Sequence, residues 1–461
     1  MLEKFLNIFR IPDLRKRVLF TAAILAVYRL GAHIPTPGVD GSKLESLFNT
    51  QGGSSLDLFN LFGGGNLRRM TVFALGIMPY ITASIIFQLL TVVYEPLARI
   101  QKEGELGRRK ITQWTRYLTV VLGLLQSIGI AAILTRQGLV LNPGISFDLM
   151  TVLTLTTGTA FIMWLGEQIT DRGIGNGMSL LIFAGIIAGL PAGVLELIQK
   201  VQTDAWGSFT IIAVALLLVG MIAVVAFIVF VERSERRIPI QSARRIIGRR
   251  MMGGSSSHLP LKVNSGGVMP VIFASSILSA PMLLSQMSWV QNTPFLRRMT
   301  DSLHPGYPWY ELLYFLGIIF FAYFYISIVM KPDDIADNFR KSGSFIPGIR
   351  PGKRTSDFIN DILTRITLVG ALYLIVVSAV PTFMISGIRF DQIWLIGHAF
   401  ESMPPWVTHG LGVNFYFGGT SLLIVVGVAM DTVNQIESQL IMRHYDGFSP
   451  RSGRIRGRKT W

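Results

Sequence analysis

The chain has 461 residues and a formal net charge of +15; half of its residues are hydrophobic, only 15% are charged, and cysteine is absent. Because a soluble domain averages about 25% charged residues, this composition excludes an ordinary soluble domain and indicates a polytopic membrane protein. The absence of cysteine excludes disulfide bonds, thiolate catalysis and thiolate-bound metal ions.

Ten apolar segments follow one another along the chain, and each approaches the roughly 20 residues that a helix needs to cross a bilayer. The first is followed by Pro35 and Pro37 rather than by a small-residue cleavage site, which favours a first span over a cleaved signal peptide. The sequence therefore predicts an all-α membrane fold with helices near residues 18–34, 72–93, 117–136, 149–167, 178–198, 209–231, 268–288, 310–330, 365–386 and 415–434.

Lys and Arg residues accumulate in alternate connections between these spans. Of the 42 basic residues, 32 lie in segments 1–17, 99–116, 233–262, 331–365 and 443–459. Positively charged loops stay on the cytoplasmic side of a membrane, so both termini are expected in the cytoplasm. The same charge is also compatible with docking of an acidic or nucleic-acid partner on that face.

The chain divides near residue 205 into two halves of five predicted spans each. Because five is an odd number, the second half would enter the membrane from the opposite side, as in an inverted repeat. We assign residues 1–205 to an N-terminal half, 206–440 to a C-terminal half and 441–461 to a basic cytoplasmic tail.

Segment 54–71 precedes the second span on the outer side, and three consecutive glycines at 63–65 interrupt its apolar run. Irregular backbone at membrane depth is tolerated only where protein or a water-filled cavity surrounds it, which favours a re-entrant segment. An interfacial amphipathic helix explains these residues equally well.

Polar residues inside the spans are few, and they concentrate in the second and seventh spans. This group includes Thr82, Ser84, Gln88, Ser275 and Ser276. They suit either small-residue helix packing or a polar seam that can part. Ionisable residues are scarcer still, which counts against an ion-coupled pump, because Glu167, Glu232 and Asp431 lie toward the cytoplasmic ends of their spans.

No motif indicates catalysis, a cofactor or a metal site. The run Gly173–Gly177 links two spans rather than a strand and a helix, so it is interpreted as a tight cytoplasmic turn and not as a nucleotide fingerprint. The six histidines lack metal-ligand spacing, and no hydrolase triad is evident. We therefore do not expect an enzyme.

Two cytoplasmic loops are too patterned to be simple connections. Short β-branched runs between Arg pairs in residues 232–250 predict a projecting hairpin. The Pro-Gly-Ile-Arg-Pro-Gly run at 347–352 predicts consecutive tight turns that present Arg350 at a tip. A solvated basic loop would explain both, but Arg at a rigid tip favours docking of a carboxylate or phosphate group.

Several long motifs run nearly from end to end of the chain: Phe73–Ile86, Lys102–Glu105, Gly107–Lys110, Trp164–Gly177, His258–Asn264, Phe345–Gly352 and Phe415–Ile424. Each is far more specific than a lone glycine motif. Together they resemble the SecY/Sec61-alpha family, the channel-forming subunits of protein translocons. The resemblance implies a gated channel that moves unfolded secretory polypeptides across the bacterial cytoplasmic membrane and releases hydrophobic segments laterally into it.

The resemblance also implies roles for particular residues. An apolar pore ring would comprise Ile77, Ile81, Ile182, Ile272 and Ile424. A re-entrant plug helix on the outer side of that ring, at about 57–70, would include Leu58, Phe59, Leu61, Phe62, Gly63, Gly64, Gly65 and Asn66. The lateral gate would use the polar seam of Thr82, Ser84, Gln88, Ser275 and Ser276.

The implied partners are the SecE and SecG subunits, the SecA motor ATPase, the ribosome, and the secretory and membrane-protein polypeptides themselves. Docking loops at 233–265 and 331–362 would present Arg249, Arg250 and Arg350. The Arg-rich stretch 451–459 is expected to order on a partner or on anionic lipids.

One segment departs from the family pattern, and two other functions remain open. Residues 387–412 are longer than expected, and their tryptophans predict an interfacial helix on the outer surface. A secondary transporter would also have inverted halves and broken helices. A membrane scaffold without a pore is the third possibility.

Overall fold

The computed structural model describes residues 11–41, 43–44, 63–203, 210–242, 245–247, 250–252, 256–285, 293, 307–386 and 419–446. Within these residues the chain is mostly helical. The helices are α1 (Pro12–Gly31), α2 (Met78–Val93), α3 (Glu95–Lys102), α4 (Glu105–Arg136), α5 (Ile145–Arg172), α6 (Gly177–Gln202), α7 (Thr210–Arg233), α8 (Met269–Ser285), α9 (Pro308–Val329), α10 (Pro332–Ser342), α11 (Lys353–Ser386) and α12 (Gly419–Asp446).

A described helix lies at the position of every predicted span, and the all-α membrane fold is confirmed. Five helical segments in the described part are long and apolar enough to cross a membrane: Glu105–Arg136, Ile145–Arg172, Gly177–Gln199, Pro308–Ser342 and Lys353–Val380. Helices α2 and α3 meet the same criterion only when they are taken together, although they meet at an angle of 101°. Together they would form a sixth span. The count of ten spans therefore stays a prediction, and the junction at 204–209 lies outside the described residues.

The second predicted span begins later than the sequence suggested. Residues 72–77 form turns, and the helix starts only at Met78. Gly76 has a φ of +57°, which ordinary helical backbone does not adopt. Pro79 stands in the first helical turn, where its missing N–H costs nothing. Gly76 and Pro79 therefore mark the start of this helix, and the prediction of helix from residue 72 was wrong.

The hairpin predicted in residues 232–250 is confirmed and is larger than expected. Strand β1 (Glu235–Ser242) pairs antiparallel with β4 (Ser256–Lys262), with Glu235 opposite Lys262. Between them β2 (Arg245–Ile247) pairs with β3 (Arg250–Met252). Strand β5 (Ser344–Phe345) adds to the other edge of β1, so both predicted docking loops belong to one three-stranded sheet of order β4-β1-β5.

A small hydrophobic core fixes this sheet to the membrane part of the protein. Ile238 of β1 and Leu261 of β4 are buried with Ile346, which follows β5. The same cluster includes Ile359 and Ile362 of α11. Because α11 continues from this core along the predicted ninth span, the sheet is anchored to a long helix rather than connected by loops alone.

The largest buried cluster draws on helices of both halves. It includes Ile162 of α5, Ile228 of α7, Ile318 of α9 and Leu374 of α11. Many large apolar side chains elsewhere on the helices are exposed, as Leu125 of α4 illustrates. Apolar residues inside together with apolar residues outside are what a helical bundle in lipid requires.

Candidate functional site

All five isoleucines of the predicted ring lie in the largest buried cluster. Ile77 is the residue before α2, and its carbonyl oxygen accepts a 3.1 Å hydrogen bond from the backbone N–H of Ile81. Ile182 comes from α6, Ile272 from α8 and Ile424 from α12. Their side chains are between 0% and 7% exposed. Residues almost 350 positions apart are thus gathered into one apolar centre contributed by both halves.

Ile186 is one of the other isoleucines of this cluster, and sequence reasoning did not single it out. Ile186 is only 1% exposed and belongs to the same cluster. It lies four residues after Ile182 on α6, so both side chains point to one face of that helix. The same spacing joins Ile77 to Ile81. Repetition of this i, i+4 isoleucine pair is the signal that would have predicted it.

The predicted plug is described only at its C-terminal end. Leu58, Phe59, Leu61 and Phe62 lie outside the described residues, while Gly63, Gly64, Gly65 and Asn66 lie within them. Residues 63–70 form consecutive turns rather than helix, and Gly64 and Gly65 have positive φ angles. The prediction of helix up to residue 70 was therefore wrong for this part, because positive φ angles interrupt a right-handed helix.

This segment is held in place by hydrogen bonds on its C-terminal side. The side-chain amide of the buried Asn66 donates to the hydroxyl oxygen of Tyr28 at 3.5 Å. The backbone N–H of Thr71 donates to the carbonyl oxygen of Asn66 at 3.0 Å. Tyr28 in turn stacks on Phe73, with ring centroids 5.8 Å apart. Helix α1 therefore holds the segment that leads into α2.

The polar seam residues lie on α2 and α8, which pack against each other. The Thr82 hydroxyl donates to the carbonyl oxygen of Met78 at 3.0 Å, and the Gln88 side-chain amide donates to the Ser84 hydroxyl at 3.2 Å. The Ser275 hydroxyl donates to the carbonyl oxygen of Ile272. Each of these bonds stays within one helix, so separating α2 from α8 would not break them.

The three acidic residues singled out in the sequence, Glu167, Glu232 and Asp431, all have partners. The Glu167 carboxylate accepts a 2.6 Å bond from Nε of Arg116, which joins α5 to α4. Asp431 of α12 lies 3.8 Å from Nζ of Lys262 at the base of the hairpin. Glu232 accepts a 2.6 Å bond from the side-chain amide of Asn264. Among the described residues, no group of three or more potential ligands could hold a metal ion.

Of the predicted docking residues, Arg350 is the one whose side chain is described, and it is exposed. It lies in the predicted double turn, where Gly348 has a φ of +83° and Gly352 a φ of +110°. Its carbonyl oxygen accepts a 2.9 Å bond from the Thr355 hydroxyl, which fixes the tip to α11. Arg250 lies in β3, and Arg249 falls outside the described residues.

Comparison with known proteins identifies the family. The family described as SecY matches residues 71–433, which include every helix from α2 to the middle of α12. The chain belongs to the SecY family. Its relatives include the protein translocase subunit SecY of Escherichia coli strain K12. The two chains are 47% identical over 441 residues, and the match covers 94% of this chain and 93% of the relative. The protein translocase subunit SecY of Streptomyces griseus is 46% identical over 462 residues, covering 97% of this chain and all of the relative.

Solved structures of SecY-like channels share the fold. One described as a protein conducting channel aligns with a TM-score of 0.65 at 17% identity and covers 95% of both chains. Sec61 in the canine ribosome-channel complex aligns with a TM-score of 0.63 at 17% identity, also with 95% coverage of both. Family membership and these names identify a channel subunit of a translocase rather than an enzyme.

Proposed function

We propose that this SecY-family chain forms a passive channel that moves unfolded secretory polypeptides across the bacterial cytoplasmic membrane and releases hydrophobic segments sideways into the lipid. The observation that carries the proposal is the gathering of Ile77, Ile81, Ile182, Ile272 and Ile424 in one buried centre built from both halves.

The chemistry of this centre suits a polypeptide gate. A narrow apolar constriction excludes water and ions by dewetting. Isoleucine side chains have no polar group that would bind a passing peptide, and they can fit closely around chains of different sequence. The ring, with Ile186 as its sixth member, would thus seal the resting channel and act as a gasket during transport.

The neighbouring segments supply the two motions that such a channel needs. The plug, residues 57–70, would leave the outer side of the ring when a polypeptide enters. The lateral gate would open between α2 and α8, where Thr82, Ser84, Gln88, Ser275 and Ser276 lie. The hydrogen bonds of Thr82, Gln88 and Ser275 each stay within one helix, so this gate could open without breaking them.

The cytoplasmic sheet would dock the partners that drive transport. In this proposal SecE and SecG complete the channel, and SecA or the ribosome binds the loops that carry Arg249, Arg250 and Arg350. The basic tail would bind anionic lipids. Ribosome docking is supported by the fold shared with Sec61 in the canine ribosome-channel complex. Both termini and the docking sheet would face the cytoplasm, since the basic loops lie on that side.

The alternatives find less support in the described residues. A secondary transporter would need ionisable groups free to bind a coupling ion at the bilayer midplane, whereas Glu167 pairs with Arg116 and Asp431 with Lys262. A scaffold without a pore would need no centre that joins the two halves. Both alternatives nevertheless make predictions that a conductance measurement can separate from those of the channel.

Ion flux through vesicles that contain the purified channel complex tests the proposal. The unaltered chain should be tight, and deletion of residues 54–66 should raise flux about tenfold because the outer seal is lost. Ile272→Asn should also raise flux, while the matched Ile272→Val should not, since valine keeps the constriction apolar. A scaffold would stay tight after the deletion, and a transporter would not respond to the polarity of residue 272.

A further inference from the structure

The backbone of the segment at Gly64 lies directly against the backbone of α6. A methyl group added at Gly64 would come within 2.6 Å of both the Cα and the carbonyl oxygen of Gly185. Real Cβ atoms do not approach backbone so closely, and backbone cannot move aside as a flexible side chain can. Gly64 also has a φ of +69°. Both the contact and the conformation therefore require glycine.

This contact lies beside the isoleucine ring. Gly185 is three residues after Ile182 and directly precedes Ile186, so it lies on or beside the helix face that carries both. A methyl group at Gly76 would lie 3.6 Å from the Cα of Gly63, and Gly76 directly precedes Ile77. Gly63 and Gly64 thus lie against the two chain segments that supply Ile77, Ile81, Ile182 and Ile186.

We propose that Gly63 and Gly64 sit in a glycine seat, formed with Gly76 and Gly185, that holds the plug against the ring. This inference rests on the proposed function, and it makes Gly64 a positioning residue. Small residues let backbones approach closely, and a seat without interlocking side chains can be left and regained.

Asn66 supports the seat from its C-terminal side. Its side chain is buried and bonded to Tyr28, as described above. Two residues separate Asn66 from Gly63. Gly63 therefore cannot move far while the side chain of Asn66 stays bonded to Tyr28. Departure of Gly63 and Gly64 from the seat would therefore pull on the bond between Asn66 and α1.

The chain offers a matched pair of variants for the test. Gly64→Ala introduces the overlap with Gly185, whereas Gly65→Ala has a similar positive φ of +84° and meets nothing within 4 Å. Both variants strain the backbone, but only the first blocks the seat. Ion flux through vesicles should rise about tenfold for Gly64→Ala and stay within about twofold of the unaltered channel for Gly65→Ala.

A second pair keeps the test valid if Gly64→Ala does not fold. Gly185→Ala adds a methyl group to the Cα against which Gly64 lies, and it favours helix formation. Gly220→Ala is its control, because a methyl at Gly220 of α7 meets nothing within 4 Å. Gly185→Ala should raise flux and Gly220→Ala should not.

The deletion of residues 54–66 separates the two ways in which the experiment can fail. If the deletion conducts but Gly64→Ala and Gly185→Ala are both tight, the seat is refuted while the channel stands. Equal flux through Gly64→Ala and Gly65→Ala would also refute the seat, because strain alone would then explain the leak. A deletion that does not conduct refutes the proposed function itself.

Discussion

The backbone N–H of Gly175 donates a 3.0 Å hydrogen bond to Oε1 of Gln435, joining residues 260 positions apart in the chain. Gly175 lies in the turn between α5 and α6, and Gln435 lies on α12, so the bond connects the two halves. Beside it, Ile174 packs with Ile436 and Leu440 of α12. The short turn between α5 and α6 is therefore a contact point between the two halves as well as a connection.

Gln435→Ala should lower the free energy of unfolding by about 1 kcal/mol, since a hydrogen bond of this kind contributes about 0.5–1.5 kcal/mol. Gln435→Glu keeps an acceptor oxygen at the same position and should lose less. Thermal unfolding of the purified complex measures both. The exposed Asn434→Ala on the same helix is the control. Equal midpoints for Gln435→Ala and the unaltered chain would contradict this role.

Asn264 is the buried connection between the docking hairpin and the membrane helices. Its side-chain amide donates to Glu232 of α7 at 2.6 Å and to the carbonyl oxygen of Gly267 at 3.1 Å. Asn264→Ala removes the donor and should cost about 1–3 kcal/mol, because the carboxylate loses a buried partner. Asn264→Asp should cost more, since two carboxylates would then face each other.

Limited proteolysis of the hairpin at its exposed Arg residues would report this change together with thermal unfolding. Cleavage should be slowest for the unaltered chain, faster for Asn264→Ala and fastest for Asn264→Asp. Adding Glu232→Gln to Asn264→Asp should restore protection, because the neutral amide removes the repulsion and supplies a donor. If Asn264→Asp resists cleavage as well as Asn264→Ala does, the two carboxylates do not face each other.

The helices were predictable because long apolar segments locate the spans and depend only on neighbours in sequence. The ring residues came instead from the resemblance to the SecY family, and their role stays a prediction. The late start of α2 was not predicted, because Pro79 suits either a kink or the first helical turn and only the φ of Gly76 decides between them.

Long-range contacts could not be read in the same way. The addition of β5 to β1 pairs Phe345 with Gln241, about a hundred residues earlier, and two residues of strand carry almost no periodic signal. The approach of Gly64 to Gly185 likewise joins residues about 120 positions apart within the N-terminal half, and it depends on how distant segments pack. In a sequence, a glycine in a loop suggests a flexible backbone. In this structure Gly64 instead allows its backbone to lie in close contact with that of Gly185.

The ion pair between Arg116 and Glu167 should show measurable coupling. Glu167 is 15% exposed at its side chain, and the atoms lie 2.6 Å apart, so the pair lies between the exposed limit near 1 kcal/mol and the buried range of about 3–5 kcal/mol. A double-mutant cycle with Arg116→Gln and Glu167→Gln should give a coupling energy of about 1–2 kcal/mol.

The exposed pair of Arg109 and Glu105 on α4 is the matched control, since its atoms are 2.9 Å apart but its side chains are at least 75% exposed. The same cycle there should give less than about 0.5 kcal/mol. Equal coupling in the two pairs would mean that the interface between α4 and α5 does not strengthen the pair of Arg116 and Glu167.

Charge reversal at the exposed tip should separate docking from stability. Arg350→Glu should weaken binding of the proposed partner, SecA or the ribosome, by about tenfold or more. The tip is rigid, and a glutamate there would repel the anionic group that Arg350 attracts. Thermal unfolding should be unchanged, since the side chain is exposed. Arg354→Glu, one turn along on α11, controls for the change in net charge. If both reversals weaken binding equally, general electrostatics rather than the tip explains docking.

Cross-linking of a polypeptide arrested during export tests the central claim most directly. The natural chain contains no cysteine, so Ile77→Cys introduces a single thiol in the ring and Leu125→Cys introduces one on an exposed apolar face. A secretory precursor with one cysteine in its arrested segment should form a disulfide with residue 77 and not with residue 125. Export of the precursor without any cross-link at residue 77, or equal cross-linking at both positions, would contradict passage through the isoleucine ring.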